Sequence, residues 1–190
     1  MKRLAIFASG SGTNAQNIAE YLMNNPEIEV SCILSNNKNA YVLKRAENLG
    51  ISGICFNREE LYNSDIVLNI IKSKEIDLIV LAGFLWLIPD YFLKSFPDRI
   101  INIHPALLPK YGGKGMYGMH VHNSVINNND NKTGISIHYV NDKYDEGKII
   151  FQKEVELSKV DTAETVAEKV HKLEYEYYPK IIEMVINDLN

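Results

Sequence analysis

Short apolar runs alternate with stretches of helical spacing through the first half of the chain, and this alternation leaves few folds open to it. The runs are Leu4–Ala8, Val30–Leu34, Ile51–Phe56, Asp77–Leu81 and Arg99–Ile103. Helical spacing follows Ser9–Asn14 to about Asn24, then recurs over Ala40–Leu49, Leu61–Ile71 and Pro89–Lys94, with Gly50 placed to end the second helix. Parallel strands need crossover connections and cover on both faces, which helices between them supply. The pattern therefore predicts an α/β fold with a doubly wound, mostly parallel sheet.

From Thr133 the texture changes. Ile135, Ile137 and Tyr139 alternate with Ser136 and His138, and Ile149–Val155 follows a turn rich in Asp and Gly. That pair reads as an antiparallel hairpin added to the sheet. Asp161 or Thr162 can cap a C-terminal helix carrying the stripe Val166, Val170, Leu173 and Tyr177, which Pro179 should bend or restart. No linker, repeat or low-complexity tract divides the 190 residues, so a single domain over 1–190 is expected, large enough to bury a core.

The net charge of −4 argues against broad nucleic-acid or anionic-membrane binding, but not against a small anionic substrate held by backbone amides. Cys32 and Cys55 are too few for a disulfide framework and belong to no metal-ligand spacing. Met1-Lys2-Arg3 runs straight into a short apolar run that reads as a buried strand, not a secretory leader. A cytoplasmic protein is expected.

Candidate chemistry concentrates at Asn102-Ile103-His104-Pro105. Alternate strand residues share a face, so Asn102 and His104 project together while Ile101 and Ile103 face the other way. Pro105 cannot continue the ladder, which puts an amide and an imidazole at the carboxyl edge of the sheet, where open α/β folds keep ligands. The pair suits stabilising an oxyanion and moving a proton. Asp145, in the turn between the late strands, could reach this edge and raise the pKa of His104, although most such aspartates are solvated or make turns.

Ser9-Gly10-Ser11-Gly12-Thr13-Asn14 follows a strand and opens a helix, where amides favour an anion. It fits a loose dinucleotide pattern, but the second strand ends in Ser35-Asn36-Asn37-Lys38 without the carboxylate that would hold a ribose diol. A phosphate-binding turn without a dinucleotide fits better, beside the plain reading of a tight turn. His120 and His122 lack a completing carboxylate or cysteine for a metal site, His138 reads as a supporting or core histidine, and His171 as a helix-surface residue. No G-x-S-x-G elbow is present, so a serine-hydrolase reading fails.

With Asn102-Ile103-His104-Pro105-Ala106-Leu107-Leu108-Pro109-Lys110-Tyr111 in view, the chain resembles the 10-formyltetrahydrofolate-dependent formyltransferases. The likeness runs nearly end to end, through Ser11-Gly12-Thr13-Asn14, Ser35-Asn36, Val80-Leu81-Ala82-Gly83-Phe84, Thr133-Gly134-Ile135-Ser136-Ile137-His138 and Asp145. The single-domain length points within the family to formyl transfer from 10-formyltetrahydrofolate to the amine of 5-phosphoribosylglycinamide in purine synthesis.

The resemblance implies a catalytic set of Asn102, His104 and Asp145, and a phosphate turn of Gly12, Thr13 and Asn14. It implies a ribose contact at Glu174 and folate contacts at Arg58, Leu85, Trp86, Leu87, Ile88, Asn102, Asn141, Asp142 and the rest of that loop to Asp145. It implies small-molecule substrates, 10-formyltetrahydrofolate as cosubstrate, no metal, no nucleic acid, no membrane, and a monomer or homodimer. Two departures stand out: Trp86 sits where the family often has arginine, and the loop Tyr111–Met119 is longer than usual, either a lid or a lengthened surface turn. Other readings are transfer to a different amine, such as an amino-sugar nucleotide, or a non-catalytic nucleotide-binding module.

Overall fold

The computed structural model describes residues 1–189. Among them, seven strands form one sheet: β1 (Lys2–Phe7), β2 (Ile28–Ser35), β3 (Ser52–Cys55), β4 (Leu78–Leu81), β5 (Ile100–His104), β6 (Lys132–Tyr139) and β7 (Ile149–Glu156). Their order is β3-β2-β1-β4-β5-β6-β7. The first five are parallel, and β6 and β7 add antiparallel at the β5 edge. The doubly wound sheet with its late hairpin is thus as the sequence pattern predicts.

The helices are α1 (Thr13–Leu22), α2 (Tyr41–Asn48), α3 (Arg58–Tyr62), α4 (Ile66–Ser73), α5 (Asp90–Ser95), α6 (Met119–Asn127) and α7 (Ala163–Asp188). Strand alternation divides the core. Leu4, Ile6, Val80, Ile101 and Ile137 pack with α1, α2 and α7 on one face. Ala5, Phe7, Ile79 and Leu81 pack with α3, α4 and α5 on the other. Cys32 is buried in this second layer, where burial pushes its thiol up to about 11, whereas Cys55 is exposed.

The single helix expected over Leu61–Ile71 is two. Asn57 and Glu60 form a reciprocal capping box that starts α3, and the Ser64 hydroxyl donates to the Glu60 carbonyl at its end (3.0 Å). Asn63-Ser64-Asp65 then turns the chain. The apolar spacing survives the break because Leu61, Val67, Leu68 and Ile71 all face the same core.

Of the two outcomes expected of Pro179, bend or restart, the restart does not occur, since α7 runs through it. A proline removes the hydrogen bond to the carbonyl four residues earlier, here that of Tyr175. The Asn17 side chain of α1 donates to that carbonyl at 2.9 Å, replacing the missing partner. Nearby, the buried Tyr178 hydroxyl donates to the Leu81 carbonyl (2.9 Å), tying α7 to the end of β4. Asn17→Ala is therefore expected to lower stability by about 1 kcal/mol, one net hydrogen bond. Urea unfolding checks this, and a midpoint equal to that of the unsubstituted protein would contradict it.

The chain winds outward in opposite directions from the β1–β4 junction, so the loops leaving these two strands part at their carboxyl ends. Backbone and side-chain bonds hold the loops side by side: Ser9 N–H donates to Gly83 O (3.0 Å) and Leu85 N–H to Ser9 Oγ (3.0 Å). Beyond them opens the main cavity, of about 580 Å³.

Candidate active site

Asn102 and His104 leave the carboxyl end of β5 on one face and both line the cavity. Antiparallel register sets His138 opposite Asn102 and Ser136 opposite His104. The turn after β6 carries Asp145, held at a left-handed φ of 58°, and brings its carboxylate between the two histidines. Oδ2 lies 3.5 Å from His104 Nδ1 and accepts from the Gly113 N–H at 2.9 Å; Oδ1 lies 3.6 Å from His138 Nε2 and 3.5 Å from Asn102 Nδ2. Burial pushes the Asp145 carboxyl up, but His138, His104 and the Gly113 amide outweigh it and hold the pKa below the usual carboxylate value.

The partners fix the proton positions. His104 Nε2 lies 2.7 Å from the Tyr111 carbonyl, so it carries the proton and donates, leaving Nδ1 toward Asp145. His138 Nδ1 donates to the Tyr139 carbonyl at 2.8 Å, so its Nε2 accepts from the Asn102 amide at 3.2 Å. The expectation that Asp145 raises the His104 pKa holds only as a partial effect. Burial dominates and lowers the pKa, against the upward pull of Asp145 and the Tyr111 carbonyl. At rest His104 is a neutral imidazole whose Nδ1 is free to take a proton.

Gly12, Thr13 and Asn14 line another part of the cavity. Gly12 is the N-cap of α1 at φ 74°, and no side chain caps the helix. Its first amides are thus left for an anion. Asn14 Nδ2 donates to Glu174 Oε2 at 2.9 Å. Burial pushes the Glu174 carboxyl up, against the Asn14 bond and the charge of His171.

The Leu85, Trp86, Leu87 and Ile88 segment lines the cavity together with Leu81, Val140 and Tyr144, giving an apolar slot beside Asn102. The Tyr62 hydroxyl holds the Leu87 carbonyl at 2.7 Å. Arg58 stands behind this wall and not in it, stacked 4.8 Å over Tyr62 and 5.6 Å over Trp86. Asn141 and Asp142 also lie outside the lining; Asn141 Oδ1 accepts from Lys143 N–H (3.1 Å) in its own turn. The long loop after Tyr111 is part of the site: Gly113 to Gly118 line the cavity, and Tyr111 and Gly113 bond His104 and Asp145.

The match that settles the family covers almost the whole chain: the family model described as Formyl transferase aligns with residues 2–182. The chain belongs to the formyl transferase family. A relative called phosphoribosylglycinamide formyltransferase in Bacillus subtilis is 34% identical over 191 residues, covering 98% of this chain and 95% of its own. A chloroplastic protein of that name in Arabidopsis thaliana is 35% identical over 95% of this chain, which spans 64% of the plant protein's length. The crystal structure of phosphoribosylglycinamide formyltransferase from Bacillus halodurans superposes with a TM-score of 0.87 at 34% identity, over 100% of this chain and 97% of that one.

Two cavity residues of this formyltransferase went unassigned in the sequence. His171 is at the helix surface, as expected, but also lines the cavity. His122 lines it too, buried on α6. Burial, then the nearby His171 and His104, pulls the His122 pKa down to about 4. In the unfolded chain a histidine titrates near pH 6.5. The unfolded state therefore binds more protons between these values, and stability falls as the pH drops through that window. Acidifying from pH 7 to 4.5 is expected to remove roughly 2 to 3 kcal/mol through this group. Urea unfolding at the two pH values checks it: His122→Leu should lose less than the unsubstituted protein, and an equal loss would contradict the assignment. No helix among the described residues is long and apolar enough to cross a membrane.

Proposed function

We propose that this formyltransferase moves the formyl group of 10-formyltetrahydrofolate to the amine of 5-phosphoribosylglycinamide, with Asn102, His104 and Asp145 as its catalytic residues. The observation that carries the reading is a single cavity lined by an uncapped helix amino end, an apolar slot and this polar cluster. The Gly12–Asn14 amides would hold the phosphate, Glu174 a ribose hydroxyl, and the Leu85–Ile88 segment the pterin.

The reaction makes one C–N bond and breaks another, with no change of oxidation state. The amine lone pair attacks the formyl carbon, and the carbonyl electrons move to oxygen. Asn102 Nδ2 already donates to His138; its second N–H makes only a 3.5 Å contact to Asp145 and is the one an oxyanion can claim. The attacking nitrogen must lose a proton, and His104 Nδ1 can take it because the resulting imidazolium faces Asp145. The carbonyl re-forms, the folate N10 leaves with its electron pair and takes the proton that His104 had accepted, and the formylated acceptor departs with His104 neutral again.

The test is acceptor dependence. Folate product should form with 5-phosphoribosylglycinamide present and at background rate without it. Deformylation without acceptor would replace the reading with a hydrolase, and turnover only with an amino-sugar nucleotide would replace the acceptor.

A further inference from the structure

His122 takes no part in the chemistry above, yet it is placed as a ligand-reading group. It is 2% exposed and lines the cavity with His171 and Glu174 of α7 and Asn14 of α1. Among the described residues neither ring nitrogen has a hydrogen-bond partner, and only Nδ1 is sealed from solvent. The Nε2 edge is therefore the part of the ring that opens into the cavity. With a pKa near 4 the ring is neutral at physiological pH and carries one N–H. Orphaned buried N–H groups are rarer than orphaned acceptors, so the proton belongs on Nε2.

We propose that His122 Nε2–H donates a hydrogen bond to an oxygen of the ribosyl phosphate portion of the acceptor, making it a residue that selects this substrate. The proposal rests on the acceptor assigned above. Its position argues for the acceptor and against the folate. Ile126 of the same helix packs into the core face of α1 and α7, whereas Phe84, Trp86 and Ile88 of the apolar slot belong to the opposite face. Complementarity argues the same way. Asn14 Oδ1 is a buried acceptor without a partner, and Glu174 offers carboxyl oxygens. A sugar hydroxyl can donate to these while accepting from His122, whereas a pterin has no such set of hydroxyls.

The test compares His122→Leu, which keeps an apolar side chain of similar size and removes the donor, with His122→Gln, whose amide nitrogen reaches about as far as Nε2. His122→Leu is expected to raise KM for 5-phosphoribosylglycinamide about tenfold, the loss of one ligand hydrogen bond. KM for 10-formyltetrahydrofolate should stay within about twofold, and His122→Gln should return the acceptor KM to within about threefold of the original. Calorimetric titration with ribose 5-phosphate should give the same order of affinities. That probe needs no turnover, so it decides the role of His122 even if the unsubstituted protein fails to formylate the proposed acceptor. Equal ribose 5-phosphate affinity in the unsubstituted and Leu proteins, no binding to either, equal rises in both KM values, or failure of Gln to restore binding would each overturn the proposal. Should the Leu variant not fold, His122→Asn, whose amide is too short to reach the cavity, is read against the same outcomes.

Discussion

Asp145→Asn is expected to lower kcat about 10³-fold while leaving the fold and both KM values close to those of the unsubstituted protein. Asparagine tolerates the left-handed backbone that this position adopts at φ 58°, so the turn keeps its shape. Its side-chain oxygen can still accept the Gly113 N–H. What disappears is the charge facing His104 Nδ1 at 3.5 Å. Without that charge, only the Tyr111 carbonyl still opposes burial and His138, and the imidazole pKa falls further. The amide nitrogen then takes the Oδ1 position, beside His138 Nε2 and Asn102, so a neutral oxygen is what remains opposite Nδ1. The measurement is steady-state kinetics across pH 5 to 9. A loss confined to KM, or a kcat within threefold of the original, would remove Asp145 from the chemistry.

Gly12→Ala carries the second large effect, and here the cause is steric. A β-carbon at this position would lie 2.2 Å from Val42 Cγ2, 2.4 Å from Val42 Cβ and 2.9 Å from its Cα. A rotamer change cannot relieve a clash with Cβ and backbone, so α2 or the turn must move. The move is opposed by the Val42 N–H bond to the Gly10 carbonyl (3.2 Å) and by the full burial of Val42. Overpacking costs roughly 1 to 3 kcal/mol and a non-glycine residue at positive φ about 1 to 3 more. Stability should therefore fall by about 2 to 6 kcal/mol, with at least a tenfold rise in the acceptor KM from displaced amides. Urea unfolding and acceptor titration read the two effects. A loss under 1 kcal/mol with an unchanged KM would mean that the turn is neither tightly packed nor a binding element.

Much of this architecture was legible in the residues because the physics is local. The apolar runs separated by helical spacing dictate the parallel sheet, and the pleat alone places Asn102 and His104 on one face. The rest depends on contacts between distant segments. The spacing across Leu61–Ile71 stayed helical because both short helices face one core, so only the capping chemistry of Asn57 and Glu60 marks the break. Pro179 reads as a bend or restart until Asn17, far away in the chain, is seen to donate to the Tyr175 carbonyl that the proline leaves unpaired. The upward pull of Asp145 on His104 is readable from the turn, but the net direction of the shift is not, for the same reason. A neighbouring carboxylate can be guessed from a turn, but the burial that outweighs it comes from elements whose packing no spacing records. His122 is weighed in the sequence only as a metal ligand, because its place beside α7 depends on how α6 packs, not on its own sequence neighbourhood.

The measurement that bears most directly on the central claim is single-turnover formyl transfer by His104→Ala, with both substrates bound to saturation and binding verified by titration. Both substrates should still bind, the protein should remain folded, and the transfer rate should fall by about 10² to 10⁴, the contribution of a positioned proton acceptor. A variant that binds both substrates and transfers the formyl group within a few-fold of the original rate would contradict that claim, and the chemistry would have to be sought elsewhere in the cavity.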